Sequence, residues 1–245
     1  MLAVERCHLD VEAMVTSPYV AGLSALADDE AELGAAVIDM GAGTTTIAVF
    51  AGGRFVHADG FALGGRHVTM DLARGLNARV ADAERIKTLY GSVLSGGSDE
   101  RDMIAVPPVD NDEREAPQFV SRANLVRIIK PRVEEILELV RDRLAVSPFS
   151  AEPRGRVVLT GGASQLNGLA GLAAQILGRP VRIGRPLGIG GLPEEAKGPA
   201  FAVATGLLVY PQVAHLEHFE PRRTRHSATG GGYITRVGRW LRESF

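Results

Sequence analysis

The sequence predicts an α/β fold in which a sheet-containing domain is split by an inserted α+β segment. Three observations predict it. Strand-type apolar runs that end in glycine-rich turns occur near both ends of the chain, at 35–50 and at 156–162. Between them, from Gly64-Gly65 to about residue 150, the texture changes to helices of mixed polarity with two short strand candidates. The 245 residues are 45% hydrophobic and 23% charged, an ordinary globular composition able to bury a substantial core.

Each element follows in order. Residues 1–27 read as helix, a break at Ser17-Pro18, then helix again, and the small apolar residues from Val20 to Leu26 suit close packing on a sheet. Asp28-Asp29-Glu30 reads as a solvated break. Ala35–Asp39 is a continuous apolar strand ending in an acid, Thr44–Phe50 is rich in β-branched residues, and Arg54–His57 follows a Gly52-Gly53 turn. His67–Leu76 and Asp82–Tyr90 read as helices, Ser92–Asp102 as a loop, and Met103–Val106 and Gln118–Arg122 as short strands. Asn124–Val146 has helical periodicity, with Leu125, Ile128, Ile129, Val133, Ile136, Leu137, Val140 and Leu144 on one face. Strand Arg156–Thr160, helix Leu166–Leu177 stopped by Gly178, strand Val181–Ile183 and helix Pro199–Val209 closed by Pro211 complete the domain.

Net charge is −2, which argues against a nucleic-acid binder dominated by phosphate contacts. The charge is unevenly spread. From His215 to Phe245 there are six arginines and three acids, +3, which leaves −5 on the rest. The single cysteine, Cys7, excludes an internal disulfide, and no apolar run reaches the roughly 20 residues of a membrane span. Of the six histidines only His215 and His218 are closely spaced, without a third ligand, so no metal site is expected from them. The body is expected to be soluble and cytoplasmic.

Three segments carry candidate chemistry. In Asp39-Met40-Gly41-Ala42-Gly43-Thr44-Thr45, Gly41 and Gly43 let backbone N–H groups approach phosphate oxygens, and Thr44 and Thr45 add hydroxyl donors. Asp39 suits a hydrated Mg2+, which prefers a carboxylate and water. In Thr160-Gly161-Gly162-Ala163-Ser164, the glycines allow a base or ribose to lie on the backbone, and Ser164 can cap the next helix. Glu84 and Lys87 share a helix face and could take ribose hydroxyls and the base. Taken singly, each has a plainer reading: a hairpin with a glycine tip, simple αβ punctuation, and a solvated surface ion pair.

Their order resembles the second half of the actin and Hsp70 superfamily, and the longer runs resemble the FtsA family of bacterial cell-division proteins. The matching runs are 32–41, 64–71, 83–91, 131–136 and 158–166. Ser17–Gly22 and Pro199–Gly206 stand where that superfamily has its two connecting helices. The resemblance implies an actin-like, ribonuclease H-like nucleotide-binding domain: subdomain 2A at 1–65 and 151–211, an inserted subdomain 2B at 66–150, and a flexible linker at 212–232. It further implies ATP and Mg2+ as ligands, FtsZ and other division proteins as partners, and self-association into filaments. The place of action implied is the cytoplasmic side of the inner membrane at the division septum.

Two departures bear on activity. Ser17 stands where hydrolytic relatives have a Glu or Gln that orients water, so weak or absent ATPase activity is expected. Ala42 replaces a glycine found in many relatives. The chain is also expected to lack the family's first half, with the other phosphate hairpin, so ATP affinity is expected to be low. Rival expectations are an active actin-like ATPase or kinase, and a fragment with a vestigial site.

Residues 233–245 complete the reading. Tyr233, Ile234, Val237, Trp240, Leu241 and Phe245 fall within an arc of roughly 140° on a helical projection, opposite Arg236, Arg239, Arg242 and Glu243. This is a basic amphipathic helix suited to an anionic membrane interface, as the resemblance also implies.

Overall fold

A computed structural model describes residues 2–97, 99–109, 116–152 and 155–215. In chain order the elements are α1 (Leu2–Glu5), α2 (Ser17–Ala25), α3 (Asp28–Leu33), β1 (Ala35–Met40), β2 (Thr45–Ala51) and β3 (Arg54–Phe61). Next come α4 (Gly65–Gly75), α5 (Val80–Tyr90), β4 (Met103–Val106), β5 (Gln118–Ser121) and α6 (Arg122–Ala145). The chain continues with β6 (Arg156–Thr160), α7 (Leu169–Leu177), β7 (Val181–Ile183) and α8 (Ala202–Val213). Residues 1–212 form one compact unit.

A five-stranded mixed sheet, ordered β3-β2-β1-β6-β7, organises that unit. β1 pairs antiparallel with β2 and parallel with β6, so both its edges are hydrogen-bonded, and because helices pack on both its faces its sequence is apolar without alternation. On one face Ala36, Ile38, Met40, Ile47, Val49, Val157 and Leu159 pack with residues of α4, α6 and α7. On the other, Val37, Ala48, Phe50 and Val158 meet Tyr19, Val20, Ala21 and Ala25 of α2 and Ala202 of α8. β4 and β5 form a separate antiparallel pair. The long amphipathic helix is present as α6, and seven of its eight expected core residues are buried, with Ile128 partly so.

Several expectations are corrected. Ser17-Pro18 does not interrupt a helix but starts one: Pro18 occupies the first turn of α2, where its missing N–H costs nothing. Among the described residues, the only helix before it is α1. Asp28–Glu30 is not a solvated break but the first turn of α3, where three acids complement the helix dipole. Glu30 is buried there and paired with Arg182 of β7. That hydrogen-bonded guanidinium outweighs desolvation and holds the Glu30 carboxyl below its ordinary pKa. The helix expected from Leu166 starts only at Leu169, with Gly168 as its cap, so Ser164 does not cap it. Pro211 lies within the last turn of α8 rather than ending the helix before it. The expected amphipathic segment at 233–245 lies outside the described residues. Among the described residues, no helix is long and apolar enough to cross a membrane.

Candidate functional site

The site is built where three loops leave the same end of the sheet. β1 and β2 are joined by residues 41–44, closed by a Gly41 N–H donating to the Thr44 carbonyl at 2.9 Å. The start of α4 docks onto this hairpin: Gly65 N–H donates to the Gly41 carbonyl (2.9 Å) and Arg66 N–H to the Ala42 carbonyl (2.8 Å). Ala42, Gly43 and Thr44 are exposed. A Cβ at Gly43 would meet nothing within 4 Å, and its φ is unremarkable, so the fold itself does not require glycine there.

After β6 the chain makes a single 3-10 turn, Gly162–Gln165. Gly161 before it has φ +85°, and a Cβ there would lie 2.3 Å from Asp39 Oδ1, so the turn needs glycine on both counts. The Pro199 carbonyl accepts from both Gly161 N–H and Thr160 Oγ1, at 3.0 Å each. Ser164 is buried and its hydroxyl donates to the Gly161 carbonyl, locking the turn rather than facing outward.

α5 supplies the third wall. Lys87 Nζ donates to Glu84 Oε2 (2.8 Å), Thr69 Oγ1 (3.0 Å) and the Gly65 carbonyl (3.1 Å). Thr69 holds one hydroxyl hydrogen within reach of the Glu84 carboxylate and the Gly65 carbonyl. The Lys87 side chain is 12% exposed and that of Glu84 52%. Burial pushes the Glu84 pKa up, but hydrogen bonds from Lys87 and Thr69 outweigh it and hold the carboxyl below its ordinary range.

The three walls enclose a cavity of about 460 Å3 lined by Gly41, Ala42, Gly65, Glu84, Lys87, Thr88, Gly91, Gly162, Ala163, Gln165 and Leu166. Of the residues singled out in the sequence, Gly41, Ala42, Glu84, Lys87 and Gly162 line it. Asp39, Gly43, Thr44, Thr45, Gly161 and Ser164 do not. Thr45 is fully buried, and its hydroxyl is spent on the Leu63 carbonyl at 2.8 Å.

Asp39 closes β1 beside the hairpin, half-buried, with no hydrogen bond or ion pair among the described residues, and desolvation raises its pKa. Thr46, its partner across β2, buries its Oγ1 equally without a partner. Two adjacent polar groups with unmet hydrogen-bonding capacity fit a hydrated cation, which would supply water donors to the carboxylate. Sequence reasoning missed Thr46 because nothing local distinguishes it from Thr44 and Thr45. Thr69 and Gly65 were missed because their roles depend on α4 meeting α5.

The family model described as Cell division protein FtsA matches residues 36–206. FtsA of Agrobacterium fabrum is 58% identical over 246 residues, covering 100% of this chain and 56% of the relative. FtsA of Escherichia coli K12 is 36% identical over 250 residues, covering 99% of this chain and 59% of that protein. This chain thus spans a little over half the length of these curated relatives. Among solved structures, MreB5 of Spiroplasma citri bound to ADP superposes with TM-score 0.67 at 18% identity, over 86% of this chain and 63% of that one. The sheet order, the helices on its two faces and this likeness are those of an actin-like fold. With the family model spanning both strands that carry the site, the chain belongs to the FtsA family of cell-division proteins.

Proposed function

We propose that this chain supplies an ATP-binding wall of a membrane-associated actin-like division protein. The observation that carries the reading is the convergence of the 41–44 hairpin, the Glu84–Lys87 pair and the Gly162 turn on one cavity. The Ala42 and Gly43 N–H groups, which make no hydrogen bond within the described residues, are free to meet phosphate oxygens. Lys87 and Glu84 offer a donor and an acceptor to ribose and base. Asp39 would hold Mg2+ through water; the ion would neutralise phosphate charge. An ADP-bound structural neighbour supports the nucleotide class.

Turnover is proposed to be weak or absent. Ser17 is exposed at the start of α2, and no carboxylate or imidazole bonds to it among the described residues. In the cell, the reading extends to self-association into filaments and to tethering FtsZ filaments at the septum through the segment 233–245.

Titration of the chain with a fluorescent ATP analogue tests the nucleotide reading. Saturable binding that ATP competes away is expected, with a Kd on the order of 0.1–1 mM. Lys87→Ala should weaken it about tenfold, as loss of a charge-assisted donor does. Absence of saturable binding into the millimolar range would overturn the reading, and phosphate release well above background would overturn the proposal of weak or absent turnover.

A further inference from the structure

The start of α4 is capped in an unusual way. Gly64 N–H donates to His67 Nδ1 at 3.1 Å, while His67 N–H donates to the Gly64 carbonyl at 3.0 Å. His67 thus occupies the third helical position, from which a Glu or Gln side chain ordinarily reaches back to the cap N–H. An amide keeps its acceptor at any pH and a carboxylate does so down to acidic pH. Imidazole is the side chain that changes charge between pH 5 and 8, and once protonated Nδ1 is a donor.

What this cap holds is the hairpin wall of the cavity. Gly64 is wedged against the hairpin: a Cβ there would lie 2.5 Å from the Gly41 carbonyl oxygen and 2.8 Å from that of Ala42. The next two residues, Gly65 and Arg66, make the two main-chain bonds that dock the hairpin. The Gly65 carbonyl also accepts from Lys87. A small shift at Gly64 would therefore move both the phosphate-side wall and the lysine.

We propose that His67 is a positioning residue of the nucleotide site, holding the α4 N-terminus against the hairpin while its imidazole is neutral and releasing it on protonation. The proposal rests on the nucleotide reading for its consequence, though not for the latch itself. Two forces act in the same direction. Protonated Nδ1 would point a hydrogen at the Gly64 N–H, and the imidazolium would sit in the first turn of α4, where the helix dipole opposes positive charge.

Most of the charged groups around α4 are paired with one another. Glu84 and Lys87 of α5 pair with each other, as do Arg79 and Asp82. Arg132 of α6 pairs with Asp71 of α4 and with Glu135. Arg66 is exposed beside His67, and Asp39 at the end of β1 makes no bond to it. No carboxylate bonds to His67 among the described residues to stabilise its protonated form.

The test uses the ligand-free full chain, labelled for NMR, between pH 5 and 8. The Gly64 amide is expected to move with the same midpoint as the His67 ring protons. In His67→Gln, which keeps an acceptor, the Gly64 amide should lose this titration and the fold should be retained by circular dichroism. A Gly64 amide indifferent to the ring titration, or an unchanged response in His67→Gln, would overturn the latch. The fluorescent ATP analogue then reads the consequence. From pH 7.5 to 5.5 the wild-type affinity should fall several-fold further than that of His67→Gln, which controls for titration of the phosphates; equal falls would overturn the positioning role. Failure of the analogue to bind at any pH would overturn the nucleotide reading, while the ligand-free titration would still decide the latch.

Discussion

Asp39 illustrates how a residue proposed to bind a cation can work against the stability of the chain that carries it. Its carboxyl is half-buried, unpaired among the described residues, and raised in pKa by desolvation. The folded state therefore binds the proton more tightly than the unfolded state. Stability contributed by this group declines as pH rises through the unfolded value toward the folded one, and the penalty is fully present above the folded value. Asp39→Asn should accordingly raise the melting temperature of the ligand-free chain at pH 7 by a few degrees at most. The same change should remove any Mg2+ dependence of nucleotide binding. A lowered melting temperature, or an unchanged Mg2+ dependence, would show that Asp39 is a structural acid. Its position was readable in the sequence, since an acid ending a buried strand before a glycine turn is conspicuous. The partnerless hydroxyl of Thr46 was not readable, because it follows from the antiparallel register that sets Thr46 opposite Asp39.

At the scale of elements, α2 and α8 approach so closely at Gly206 that no side chain fits between them. A Cβ on Gly206 would lie 1.8 Å from the Val20 carbonyl oxygen, and Ser24 Oγ donates to the Ala202 carbonyl across the same crossing at 2.6 Å. The contact involves main chain on one side, so no rotamer change can relieve it. Gly206→Ala should cost about 1–3 kcal/mol in urea denaturation, as overpacking does. Gly171→Ala in α7 is the matched control: its Cβ would meet nothing within 4 Å, and alanine there should stabilise by about 0.5–1 kcal/mol. Equal effects at the two positions would disprove the close crossing. Elements that announce themselves by local pattern, such as α6 with its apolar stripe or β1 with its unbroken apolar run, were legible in the sequence. α3 was not, because Asp28-Asp29-Glu30 looks like solvent-facing chain until Arg182, 152 residues later, arrives to neutralise Glu30. The cavity was legible as three separate motifs, but not the Lys87–Thr69–Gly65 contacts that join them.

At the scale of the whole chain, charge and amphipathicity are segregated: the segment from His215 carries +3 and the rest −5. An acidic body is repelled by an anionic membrane, so the proposed attachment calls for a segment of the opposite sign. If the sequence pattern of 233–245 forms the expected helix, the face with Trp240 and Leu241 would supply burial, and Arg236, Arg239 and Arg242 would supply attraction of about 1 kcal/mol each. That sum is small for one copy and grows when copies are joined, because linked binding events add without new contacts. Co-sedimentation with vesicles containing phosphatidylserine should therefore show weak, salt-sensitive binding of the wild-type chain that strengthens under conditions favouring self-association. Trp240→Glu should abolish it, since a charge placed mid-face removes burial and adds repulsion from the lipid. Arg239→Glu should weaken pelleting on anionic vesicles more than on neutral ones. Unchanged pelleting of Trp240→Glu would place the attachment elsewhere. Pelleting indifferent to lipid charge would leave burial as the only force and remove the reason for the arginines.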